Sequence, residues 1–199
     1  MMIIPIYDLL MLPAVTFFFK KDILPENYIS SEHTGEEILF LMQKTDKERE
    51  NLTPEDFFSV GIIGKIDSID EEGNVRIRTR ERVDISDVEV TEEELHACAT
   101  IRAEIQDIPE EEEKEIFDKV KKDLMRFVQG FPWGMWARGF IFHWKSFGEA
   151  ACALSTYLNI TWDEKYQILE TDSRRQQCEM IQEAVYELME IFRVGEEAE

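Results

Sequence analysis

The sequence predicts an α+β chain: a bent antiparallel β barrel or sandwich lobe over residues 1–108, then a helical bundle lobe over residues 109–199 that ends in a long helix. Three observations predict it. The first half is made of short β-branched and aromatic runs punctuated by Pro, Gly and Asn. The second half repeats its apolar residues at helical spacing. The change falls between Ile108 and Pro109, where a proline is followed by four glutamates, an acidic first turn that suits the helix dipole.

Each element has a local reason. Residues 3–7 and 15–19 read as strands separated by Pro13. Residues 20–35 contain Pro25, Asn27, two serines and Gly35, which predicts a loop with one helical turn. Residues 37–43 form a buried-type strand. Thr53-Pro54-Glu55-Asp56 offers a capping hydroxyl and a proline at the first helical position, enough for a single turn. Residues 58–69 form a long strand whose Gly61 and Gly64 predict a bulge or bend. Residues 71–74 form a hairpin turn with Gly73 at positive φ. Residues 74–82 alternate strictly, with Val75, Ile77 and Thr79 on one face and Arg76, Arg78, Arg80 and Arg82 on the other. Residues 83–90 and 97–108 complete seven strands.

In the second half, Ile116, Phe117, Val120, Leu124, Phe127 and Val128 define the first helix, stopped by Gly130. Residues 146–158 form a helix rich in alanine. Residues 162–169 form a short one capped by Thr161. Residues 173–194 form a long amphipathic helix through Cys178, Ile181, Val185, Leu188, Met189 and Phe192, with Gly195 and an acidic tail after it.

Composition narrows the function. The 199 residues carry a net charge of −21, yet 44% are hydrophobic, too many for an acidic disordered chain. The charge argues against nucleic acid or an anionic membrane as partner, since both would repel it. No apolar run of about 18 residues predicts a membrane span, and the N-terminus lacks the basic start and cleavage site of a signal peptide. Cys98, Cys152 and Cys178 lie far apart, which suits a reducing, cytoplasmic setting.

The chemistry-bearing patterns are absent. Gly61-Ile62-Ile63-Gly64-Lys65 ends in Ile66 and lacks the glycine spacing of a phosphate loop. His33, His96 and His143 are widely spaced, and His96 with Cys98 has no third ligand nearby, so no metal is expected. No nucleophile motif occurs, and neither a catalytic residue nor a cofactor is expected. The arginine stripe reads as the exposed face of an edge strand, with phosphate or acidic-peptide binding as its functional alternative.

One segment stands apart. Residues 124–160 hold a single acid, Glu149, against Arg126, Arg138 and Lys145, and contain three of the four tryptophans. If the band is helical, Trp133, Trp136, Phe140, Trp144 and Phe147 share one face, and Met135, Ile141 and Phe142 lie on others. Two readings stand: core packing between the lobes, or an exposed platform for apolar polypeptide. Under the second, Trp133, Met135, Trp136, Phe140 and Trp144 are the candidate binding residues.

Several stretches resemble the N-terminal, substrate-binding domain of the ATP-dependent Lon protease family. They are Ile4-Pro5-Ile6-Tyr7-Asp8-Leu9 with Leu12-Pro13, Ile38 to Lys44, and above all Thr53-Pro54-Glu55-Asp56-Phe57-Phe58-Ser59-Val60-Gly61-Ile62-Ile63-Gly64-Lys65-Ile66. Gly73 to Ile77, Arg80 to Ile85, Leu154 to Leu158 and Glu164 to Asp172 continue it. The chain departs from the family at Ala14, where glycine is usual, in residues 22–35, which lack a regular helix, and in the richness of its aromatic band. The resemblance implies a PUA-like β lobe with a helical bundle, selection of unfolded or tagged proteins, and association with other Lon subunits in a hexamer. The family's ATPase and Ser–Lys protease modules have no motif here. The resemblance therefore implies a piece of a longer protease, with a free-standing adaptor or regulatory protein as the alternative. The acidic body would favour basic clients.

Overall fold

The computed structural model describes residues 1–24, 30–91 and 94–197, with the side chains of 194–197 excepted. The Pro25–Asn27 part of the expected loop, Glu92 and Glu93, and the end of the acidic tail lie outside the described residues. The chain divides into two compact units, Met1–Ala103 and Glu104–Glu199.

The first unit is a six-stranded sheet: β1 (Met2–Ile6), β2 (Thr16–Phe19), β3 (Glu37–Met42), β4 (Val60–Ile69), β5 (Val75–Val90) and β6 (Leu95–Ile101). Its order is β1-β3-β4-β5-β2, with β6 also on β5. The expectation of an all-antiparallel lobe is corrected in one place, because β1 pairs with β3 in parallel. Ile38, Leu39, Phe40, Leu41 and Met42 of β3 are all fully buried, as a strand covered on both faces must be. Between strands, Pro54–Asp56 forms the expected single turn. The Asp56 carboxylate accepts from the Thr53 amide and hydroxyl, both at 2.8 Å.

The seven expected strands become six because residues 74–90 form one strand with an irregularity in it. The register shifts between Ile63 and Gly64, where Ile63 pairs with Glu81 and Gly64 with Thr79. Arg80 is the extra residue of this bulge. A Cβ on Gly64 would stand 2.8 Å from Ile77 Cγ2, so only glycine lets β5 approach here. An extra residue reverses the alternation beyond it. Arg76, Arg78 and Arg80 are exposed as expected, but Arg82 is 1% exposed, inside the unit. The stripe is not on an edge strand either: β5 is hydrogen-bonded to β4 along one side and to β2 and β6 along the other. Arg76 pairs with Asp67 at 3.7 Å and Arg80 with Glu37 at 3.1 Å.

The second unit holds α1 (Glu110–Val128), α2 (Gly134–His143), α3 (Phe147–Leu154), α4 (Trp162–Glu170) and α5 (Arg174–Glu197). Residues 104–108 belong with it rather than with the sheet. The Ile105 amide donates to the Asp172 carbonyl at 2.9 Å, and the Arg174 amide to the Ile105 carbonyl at 3.0 Å. Asp107 then caps α5, accepting from the Ser173 hydroxyl (2.6 Å) and the Arg175 amide (2.8 Å). Two of the four glutamates that open α1 do more than face a helix dipole. Glu113 takes a bidentate bond from Arg174, and Glu112 pairs with Arg175 at 2.8 Å.

Buried Phe117, Val120, Leu124 and Val128 of α1 share the core of this unit with Cys178, Ile181, Val185, Leu188 and Met189 of α5. Phe192, expected on that buried face, is 40% exposed, and α5 continues through Gly195. The cap expected at Thr161 is present, as a reciprocal box with Glu164 on α4. Ser146, which the sequence reading did not single out, caps α3 by accepting from the Glu149 amide.

Candidate functional site

The aromatic band is not one helix. A tight corner after α1 puts Trp133 ahead of α2, and α2 ends at His143. The corner depends on Gly134, where a Cβ would run into the Val128 carbonyl oxygen. At the other end Lys121 of α1 reaches across, its Nζ donating to the carbonyls of Phe142 (2.8 Å) and Trp144 (2.6 Å). These are C-terminal carbonyls with no partner inside the helix, and a cation there also suits the dipole. Both ends of α2 are therefore fixed to α1.

With its ends fixed, α2 turns a narrow stripe inward. Gly134 and Ile141 are buried and Ala137 half-buried. Everything else faces out. Met135 is 89% exposed, Trp136 70%, Phe142 65% and Phe140 54%. The Trp136 and Phe140 rings touch, with centroids 4.4 Å apart. Trp133 is also exposed and stacks on Phe131 at 4.8 Å. Of the candidate residues, the structure thus brings Trp133, Met135, Trp136 and Phe140 to the surface. Trp144 is half-buried beyond the helix end, and Phe147 belongs to the core. The single stripe through all five aromatics is corrected by the helix break at residues 144–146. Among the large apolar side chains of residues 131–147, Ile141 and Phe147 are the fully buried ones.

Sequence reasoning missed Phe142 as a surface residue, although its seven-residue spacing from Met135 places the two on one face. It also missed a groove of about 600 Å³ in the same unit, lined by Asp123, Arg126, Phe127, Phe131, Tyr186 and Arg193 among others. Phe131 joins groove and patch, since its ring also meets Phe127 and Phe192. The Tyr186 hydroxyl donates to Asp123 at 2.8 Å, and burial together with that carboxylate raises its pKa.

Among the described residues no group of three or more His, Cys, Asp or Glu could hold a metal ion. Burial pushes the Cys178 thiol up to about 11, so it is not a thiolate near neutrality. His96 faces Glu94 at 2.9 Å, and Cys98 is exposed. Among the described residues no helix is long and apolar enough to cross a membrane.

Comparison with known proteins agrees with this arrangement. The family described as the ATP-dependent protease La (LON) substrate-binding domain matches residues 1–135. The matched span ends inside the first turn of α2. A Lon protease of Clostridium beijerinckii is 25% identical over 175 residues, covering 86% of this chain. The chain spans 22% of the length of that relative. Among solved structures, the N-terminal domain of a Mycobacterium avium complex Lon protease superposes with a TM-score of 0.58 at 16% identity, covering 92% of this chain and 96% of that one. A Lon N-terminal domain protein from Xanthomonas campestris gives 0.52 at 12% identity, covering 90% and 94%. The first structural neighbour is matched over nearly its whole length, sheet and helices together, and the family match spans more than half of the sequence: this chain belongs to the Lon substrate-binding domain family.

Proposed function

We propose that this domain selects protein clients by holding exposed apolar segments of unfolded polypeptide on the outer face of α2, without catalysis of its own. The observation that carries this reading is the exposure of Met135, Trp136, Phe140 and Phe142 on one short helix. Burial of apolar area is the main favourable term in association, and clustered exposed aromatics of this kind mark interaction sites. Methionine and tryptophan suit varied partners, because one is flexible and the other offers a large, amphipathic face. Trp133 extends the patch through its stack on Phe131, and Trp144 supports the helix end.

In a longer protein of Lon type, captured clients would pass to ATPase and protease modules, and neighbouring subunits would present several such patches. Both steps belong to the proposal. The test replaces Trp136 and Phe140 together by alanine. Their loss weakens binding of a labelled, aromatic-rich unfolded polypeptide by about tenfold or more, as for central interface aromatics, while circular dichroism and melting temperature stay unchanged. Equal binding by the variant refutes the reading.

A further inference from the structure

The outer face of α2 contains a residue that the fold does not require. Gly139 lies inside the helix, where glycine costs about 1 kcal/mol relative to alanine. A Cβ placed there would meet nothing within 4 Å. Gly134 in the same helix is the contrast, since the Val128 carbonyl excludes a side chain there.

The helical spacing shows what Gly139 leaves open. Trp136, Gly139, Phe140 and His143 stand at i, i+3, i+4 and i+7. Met135, Arg138, Gly139 and Phe142 stand at the same spacing one position earlier. Four residues so arranged form the hole that receives a partner's side chain in knobs-into-holes packing. The two holes are adjacent and share Gly139. Each therefore has two bulky apolar walls and no side chain at the shared corner. Every wall residue is exposed, so both holes open to solvent.

Charge narrows what fills them. One hole carries a positive charge at its margin, Arg138, the other the His143 imidazole, and Lys145 follows the helix end. The one carboxylate of residues 124–160, Glu149, accepts from the Lys145 amide at 2.7 Å and is committed to capping α3. The body charge of −21 acts at a distance and would favour basic clients. At physiological ionic strength that field is screened over about 8 Å. A client seated on α2 contacts Arg138 directly, and a charge at contact is screened far less than the distant body. A second copy of this chain is a poor occupant, because two such bodies repel each other.

We infer that the α2 face takes polypeptide segments in which a bulky apolar side chain is flanked by carboxylates, and that Gly139 is the residue that admits the apolar side chain. This rests on the reading that α2 is the client surface. The consequence is an unusual sign. Gly139→Ala makes a more stable protein and a poorer binder, whereas a merely structural glycine would weaken both when replaced.

The experiment measures binding of two labelled peptides at physiological salt, both with the same Phe/Leu core, one flanked by glutamates and one by lysines. Gly139→Ala, Gly139→Leu, Arg138→Glu and the Trp136→Ala/Phe140→Ala double variant are compared with the parent. The parent is expected to prefer the acidic peptide about fivefold, the equivalent of one good charge contact. Gly139→Ala raises the melting temperature by about 2–4 °C and weakens both peptides severalfold, Gly139→Leu weakens them further, and Arg138→Glu removes or inverts the preference. Unchanged affinity in both Gly139 variants, or a preference for the basic peptide, overturns the inference. Concentration-dependent dimerisation of the parent that Gly139→Leu abolishes also overturns it, in favour of a second copy. If the double variant still binds both peptides as the parent does, the client-surface reading itself falls. If it loses binding while the Gly139 and Arg138 variants behave as the parent, only the present inference falls.

Discussion

Thr79 and Ala14 show how single residues hold the first unit. Thr79 is 1% exposed. Its hydroxyl donates to the Leu12 carbonyl at 2.6 Å and accepts from the Val15 amide at 3.0 Å. The turn it pins forces Ala14 to φ 62°, a left-handed conformation that costs a non-glycine residue about 1 kcal/mol. This is the position where the sequence departs from a family that usually has glycine, and the strain gives the departure a physical meaning. Ala14→Gly is expected to add about 0.5–1 kcal/mol of stability, read as a higher urea midpoint with an unchanged m-value. Asp56 supplies a pH-dependent contact. The bond from Lys47 at 2.6 Å, then the Thr53 hydroxyl and amide, lower its pKa to about 2. A lowered carboxylate stabilises the fold above its ordinary value near 4 and loses that contribution as pH falls from 4 towards 2. Unfolding curves of Asp56→Asn and the parent should therefore differ at pH 6 and converge near pH 2.

At the scale of elements, α2 is defined by what it rests on. Gly134→Ala brings a Cβ against the Val128 carbonyl and must displace α2 from α1. A destabilisation of about 1–3 kcal/mol is expected, with tryptophan fluorescence shifted as the patch moves. Its contrast with Gly139→Ala, in the same helix and of opposite sign, separates packing from recognition. Much of this level was legible in the sequence. Capping residues such as Thr161 and Thr53 act within a few residues of their position, so they could be read directly. The Arg80 bulge could not. It arises from β4 lying across β5, a contact distant in sequence, and strict alternation therefore carried Arg82 to the wrong face. The parallel β1–β3 pair was hidden for the same reason. The band's composition was legible, but its exposure depends on where α2 stops and which narrow stripe rests on α1.

For the whole molecule, charge and exposed apolar surface oppose each other. The excess of acid lies in residues 1–123 and 161–199, while α2 sits in the one nearly acid-free span. Sequence counting alone found that division, because it needs no knowledge of contacts. Its consequence is colloidal. Mutual repulsion between acidic bodies keeps the sticky helix of one molecule away from another, and that protection is only as good as the net charge. Near the isoelectric point of about 4.5 it vanishes, while Asp56, with its pKa lowered to about 2, is still ionised and keeps its contacts. Light scattering during acid titration should then report clouding of folded protein before unfolding, and the Trp136→Ala/Phe140→Ala variant should stay clear to lower pH. The exposed face of α2 thus sets a solubility limit for the folded domain: the same side chains that would grip a client also fix how acidic and how concentrated a solution of this protein can become before its molecules begin to grip each other.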